Sequence, residues 1–230
     1  MSLELAGVAG ILALLLLLAL RMPVGIAMMA VGTAGIALLA NERAALATLA
    51  NEAIAITTKT ELLVIPLFIL MGNLATASGL SRNLYDAAYA WVGARRGGLA
   101  SATVLGCAGF SALCGSSVAS AVTVGRVALP EMRRHGYDPA LATGTVAAGG
   151  TLGILIPPSA GFVVYAILTE QSIGRLFIAG VLPGLLLTAL FVLTVWLLTA
   201  RDPALGPPGP RLPRAERLAA LSGAGPILFV

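Results

Sequence analysis

With 230 residues, 58% of them hydrophobic and only 10% charged, and a mean hydropathy of +0.97, the chain is not a soluble globular domain, which carries roughly a quarter charged residues. It reads as an all-α polytopic membrane protein. A net charge of +4 would suggest nucleic acid in a soluble chain, but here the basic residues cluster in loops and act as topology signals, so no nucleic-acid partner is expected.

The first apolar run, Leu5 to Leu20, follows Met-Ser-Leu-Glu, which has an acid, no Lys or Arg, and no small-residue cleavage pattern after the run. It is expected to be a retained first span rather than a signal peptide. Residues 24–40 form a second span, opened by Pro23 in the first turn, where a missing N–H costs nothing. Residues 41–60 mix Glu42, Arg43, Glu52 and Lys59 with apolar residues at near-helical spacing, as in an interfacial amphipathic helix. Together 1–60 make scaffold helices and an interfacial arm.

Residues 61–96 hold a third span and a second interfacial helix. Thr60 is the expected N-cap, Pro66 the expected kink, and Asn73 an amide at membrane depth, serving either an interhelical hydrogen bond or an ion or substrate site. Gly79 stops the span and Ser81 caps the next helix, where Leu84, Ala88, Trp91 and Val92 share a face. Tyr85, Tyr89 and Trp91 are its expected interface anchors.

Residues 97–129 are unusual for a membrane segment. Gly115-Ser116-Ser117 has little helix preference and separates arms Leu99–Leu113 and Val118–Leu129, both shorter than the roughly 20 residues a span needs. The pair is best drawn as a re-entrant helical hairpin. Cys107 and Cys114, seven residues apart on one arm, are too far apart for a disulfide and serve as packing residues. Within 130–168, the loop Pro130–Tyr137 leads to an Asp138-Pro139 cap and a discontinuous helix. That helix is expected to run from Pro139 to Gly149, unwind from Thr151 to Pro158, and resume from Ser159 to Leu168. A last complete span lies within 169–200, kinked near Pro183; 201–224 is a basic, Pro-rich linker, and 225–230 starts a further span.

Broken helices survive at membrane depth only where they line a cavity or are buried, and paired breaks point to the ion or substrate site of a secondary transporter. The candidate site comprises Gly115, Ser116, Ser117 and Ser120 at the hairpin tip, Gly149, Gly150, Thr151 and Pro157 on the broken helix, and Asn73. The hydroxyls and unwound carbonyls suit a cation; helix N-termini after Ser117 and Pro158 suit an anion. The alternative for Ser111, Ser120 and Thr123 is packing at helix crossings. Arg126 is expected to snorkel and His135 to be a loop residue. No metalloprotease motif, phosphate-binding Gly-Lys loop or base-activated nucleophile supports an enzyme. With Arg95, Arg96, Arg133, Arg134 and the 201–224 linker on the cytoplasmic side, the N-terminus lies outside.

The runs MGNLATASGL (71–80), WVGARRGGLASATV (91–104), GSSVASAVTVG (115–125), LPEMRRHGYDPALATG (129–144), GGTLGILIPPS (149–159) and SIGRLFIAGVLPGLL (172–186) closely resemble the large membrane subunit of tripartite ATP-independent periplasmic (TRAP) transporters. The resemblance implies an elevator-type secondary transporter in the bacterial or archaeal inner membrane, of which this chain holds one inverted repeat. It implies Na⁺ as coupling ion, with no other cofactor, at Ser116, Ser117, Gly149 and Thr151. The implied partners are a small membrane subunit and a periplasmic substrate-binding protein. The implied cargo is an organic anion such as a C4-dicarboxylate, sialic acid or keto acid. Two other readings are a truncated, non-transporting scaffold, which would not sense Na⁺, and a cation/proton antiporter, which needs a titratable acid near the breaks. Glu61 and Glu131 lie at helix ends, against the latter.

Overall fold

The computed structural model describes residues 3–224. The start of a further span expected at 225–230 therefore lies outside the described residues. The chain divides into two compact units, one up to Leu62 and one from Leu63.

In the first unit, α1 (Leu3–Ala19) packs on α2 (Val24–Leu39), which packs on α3 (Glu42–Thr58). Arg21 takes φ +62 in the first turn, and Pro23 stands just before α2 rather than inside it. Asn41 caps α3, its Oδ1 accepting from the Ala44 N–H at 2.7 Å. At 17 and 16 residues, α1 and α2 are apolar but span only about 25 Å each, a little less than a ~30 Å hydrocarbon core.

A 3-10 turn, Thr60–Leu63, ends the first unit and leads into α4 (Val64–Ala77), the first helix of the second. Thr60 thus starts a turn instead of capping the helix. Pro66 is the third residue of α4, where its N–H would have no partner in any case, so the first turn absorbs it instead of the expected mid-helix kink. Gly79, with φ +77, makes the corner into α5 (Leu80–Val92), so the glycine rather than Ser81 is the cap. The two helices meet at 65°. The buried face of α5 carries Ser81, Tyr85, Ala87 and Ala90; Tyr85 is 2% exposed and packs beside Gly106, a core residue and not the expected interface anchor.

The core of this unit is the hairpin α6 (Gly98–Cys114) and α7 (Ser117–Arg134) with α8 (Pro139–Leu155) laid against both. Leu99, Cys107, Phe110, Val124, Ala128 and Met132 are fully or almost fully buried there. Instead of ending at Leu129, α7 continues through Pro130 to Arg134, so 130–134 is not loop. The proline withdraws one bond from the Arg126 carbonyl, but the His135 N–H donates to the Glu131 carbonyl at 3.1 Å and carries the ladder on. Asp138 caps α8 as expected, its Oδ1 accepting from Ala140 at 2.9 Å and Leu141 at 3.0 Å.

After α8 the chain breaks at 156–159, resumes as α9 (Ala160–Thr169) and turns at Glu170, φ +55, into α10 (Ile173–Arg201), which is continuous through Pro183. Among the described residues, Pro139–Thr169 and Ile173–Arg201 are long and apolar enough to cross a membrane, and α4 with α5 would be another if the bent pair is one span. The 201–224 segment is only partly a linker. It is pinned to the foot of the hairpin by bonds from Gly97 N to the Gly206 carbonyl and from Asp138 N to the Leu205 carbonyl. It then forms α11 (Arg214–Ala224), packed on α5.

Candidate functional site at the hairpin tip

Two residues turn α6 into α7. Gly115 ends α6 at φ +57, a region where a Cβ is strained, and Ser116 caps α7, its Oγ accepting from the Ala119 N–H at 3.3 Å. Just inside the tip, Ser111 and Ser120, both fully buried, share a hydroxyl–hydroxyl bond of 3.1 Å, and the Cys114 Sγ lies 3.3 Å from the Ser120 Oγ. Ser120 therefore holds the two arms together. Ser116 and Ser117 are half-buried.

The tip is seated on the C-terminal end of α8. A Cβ on Gly153 would stand 2.7 Å from the Ser116 carbonyl carbon, and one on Gly150 would stand 2.7 Å from the Ala121 Cβ. A Cβ on Gly149 would meet the Cys107 Sγ at 3.0 Å, and one on Gly115 would collide with the Pro158 carbonyl oxygen. So the two interruptions face each other. The unwinding, however, is later than expected. Gly149, Gly150 and Thr151 lie inside α8, where the two glycines serve close helix contact rather than a break. Thr151 faces outward, its hydroxyl donating to the Ala148 carbonyl at 2.6 Å.

The break has a simple cause. In a helix each N–H bonds the carbonyl four residues earlier, and neither Pro157 nor Pro158 has an N–H to offer Gly153 or Ile154. The freed Gly153 carbonyl belongs to the residue pressed against Ser116. Ser159, which precedes α9, is 1% exposed, and its hydroxyl has no hydrogen-bond partner. Pro157 is half-buried in this bend. Asn73 stands exposed on α4, one residue from Gly72, whose added Cβ would lie 2.9 Å from that of Cys114. The structure thus gathers Gly115, Ser116, Ser117 and Gly150 closely, with Gly149 and Ser120 behind them, and Pro157 precedes the Pro158 that meets Gly115. It leaves Thr151 and Asn73 on outer faces of their helices.

Gly153 was read from the sequence only for its backbone carbonyl, not as a contact point, and Ser159 was not singled out. A signal for the first existed in Gly149-x-x-x-Gly153, the small-residue spacing of tight helix crossings. Among the described residues no cluster of three or more His, Cys, Asp or Glu could hold a transition metal; oxygen donors without carboxylates suit a singly charged cation better.

Known proteins carry the same segment. The sequence model of the tripartite ATP-independent periplasmic transporter, DctM component, matches residues 11–230. A C4-dicarboxylate TRAP transporter large permease protein of Pseudomonas aeruginosa is 51% identical over 158 residues, 69% of this chain and 36% of that protein. A 2,3-diketo-L-gulonate TRAP transporter large permease protein of Escherichia coli is 38% identical over 59% of this chain and 32% of its own length. An ectoine/5-hydroxyectoine TRAP transporter large permease protein of Ruegeria pomeroyi is 34% identical over 68% of this chain and 36% of its own length. The chain spans about a third of the length of these relatives. A match over nearly the whole chain, on apolar helices, makes this an integral membrane protein of a transporter family rather than an enzyme: the chain belongs to the tripartite ATP-independent periplasmic transporter family, DctM component.

Proposed function

We propose that the chain is the N-terminal repeat of an inner-membrane TRAP large permease that takes up an organic anion in symport with Na⁺. The observation that carries the reading is the seat of the hairpin tip on the end of α8, where two glycines admit no side chain and a proline pair leaves carbonyls free. In this reading α6 and α7 form a re-entrant hairpin, and Na⁺ sits between Ser116 and Ser117 at the tip and the backbone carbonyls at the end of α8, with the orphaned Ser159 hydroxyl as a further oxygen; the outward-facing Thr151 hydroxyl is not among its ligands. The carboxylate is a C4-dicarboxylate, sialic acid, keto acid or similar solute. A periplasmic binding protein delivers it, and a small membrane subunit braces the permease. The N-termini of α7 and α9 provide partial positive charge toward the anion. The site rides on a mobile domain that works as an elevator, and the 201–224 segment is cytoplasmic.

Uptake tests this. In the complete permease, assayed with its small subunit and binding protein, Ser116→Ala with Ser117→Ala is expected to abolish Na⁺-driven accumulation while membrane abundance persists. Undiminished Na⁺-dependent uptake by the double variant would remove the hairpin tip from the site.

A further inference from the structure

We propose a second binding site, at the foot of the hairpin: the groove between α5 and α7 takes the phosphate headgroup of an anionic phospholipid. The groove is a cavity of about 510 Å³, lined from α5 by Arg82, Tyr85 and Asp86 and from α7 by Arg126, Glu131 and Arg134. Tyr85 and Asp86 follow Arg82 at three and four residues, and Arg134 follows Glu131 at three and Arg126 at eight, so each helix turns one polar face toward the other.

The charges do not cancel. Arg134 Nη1 pairs with Glu131 Oε1 at 3.0 Å. Asp86 stands one turn from Arg82 on α5 and offsets it. Arg126 has no carboxylate within ion-pair distance among the described residues, which leaves the groove one positive charge in excess. A phosphodiester carries one negative charge and several acceptor oxygens, and it matches that excess.

A second observation points to an acceptor. The Tyr85 side chain lines this groove and is 2% exposed; its hydroxyl lies near the Thr103 side chain of α6 but makes no hydrogen bond of ordinary length. A buried hydroxyl without a partner is costly, and a phosphate oxygen in the groove would satisfy it.

The position suits a lipid rather than a soluble anion. Arg126 lies nine residues from the start of α7, about 13 Å along the helix, close to half the ~30 Å hydrocarbon thickness. With the tip at mid-bilayer, as the re-entrant reading above requires, the groove falls at headgroup level. Arg133 and His135 lie beyond it. Basic pockets between helices at that level are where anionic lipids are held.

Native mass spectrometry of the 230-residue chain, released from micelles with equimolar phosphatidylglycerol and phosphatidylcholine, decides it. The chain is expected to retain phosphatidylglycerol about fivefold over phosphatidylcholine. Arg126→Gln should bring the two to parity, Arg126→Lys should keep the preference, and Tyr85→Phe should weaken it about threefold. Equal retention of both lipids by the unaltered chain, or an unchanged preference in Arg126→Gln, would overturn the proposal. So would displacement of the lipid by millimolar inorganic phosphate with a phosphate adduct in its place, which would make this a soluble-oxyanion site. Neither result depends on Na⁺ at the hairpin tip, so this proposal and the transport reading can fail separately.

Discussion

Gly153 shows what a single absent methyl group does here. Its Cα is pressed on the Ser116–Ser117 peptide, with 2.7–2.8 Å between a would-be Cβ and three backbone atoms that cannot rotate away. Gly153→Ala must therefore shift the hairpin tip or the end of α8, at a cost of about 1–3 kcal/mol. Gly144, nine residues earlier on the same helix, has nothing within 4 Å of a Cβ. Gly144→Ala should be neutral or stabilising by up to about 1 kcal/mol, since alanine is the better helix former. Thermal melts of both variants in detergent check the pair: a clear drop for Gly153→Ala alone is expected, and equal midpoints would mean the tip is not seated as described. The same logic explains what sequence reading missed. Glycine pairs in a helical pattern look like breakers, and only the neighbouring hairpin reveals that they are contact points.

At the level of elements, the cap of α8 was legible, whereas Thr60 and Ser81 are not the caps expected of them. Asp138-Pro139 marks the start of α8 because an Asx side chain and a proline suit the two first positions, and the structure places both there. Asp138→Ala should cost about 1 kcal/mol in the chain's unfolding free energy, since two N–H groups lose their acceptor. A melting midpoint unchanged from the parent would mean the helix end is held by other contacts. Legibility failed where tertiary contact overrode local preference. Pro130, itself exposed, lies inside α7 because the fully buried Ala128 and Met132 on either side of it hold that stretch of helix in the core. Tyr85 is a core residue because α6 offers Gly106 at the point of contact. The segment after Arg201 becomes a helix at Arg214 because α5 provides a face to pack on, and Pro-rich composition conceals that.

For the molecule as a whole, the order of apolar segments and the hairpin-and-broken-helix plan were readable from hydropathy and punctuation alone. Orientation rests on charge. Arg95, Arg96, Arg133 and Arg134 flank the hairpin on one side, and the proposed cytoplasmic placing of that side rests on the positive-inside tendency. A cysteine placed at position 134, whose parent side chain is 75% exposed, should react with an impermeant maleimide only when the cytoplasmic face is opened. Cys107 and Cys114 are free and buried, and should stay silent. Labelling from the outside in intact cells would invert the topology and with it the placing of the 201–224 segment.

The central claim, that the hairpin tip and the end of α8 form a Na⁺ site, is tested most directly by the melting temperature of the purified chain as NaCl replaces KCl at constant ionic strength. A ligand that binds only the folded state stabilises it by RT ln(1 + [L]/Kd), about 2.7 kcal/mol at a hundredfold excess over Kd. The account predicts a midpoint that rises with Na⁺ in the parent chain and stays flat in Ser116→Ala with Ser117→Ala. Identical midpoints in Na⁺ and K⁺ for the parent chain would contradict it and would favour a scaffold that senses no ion.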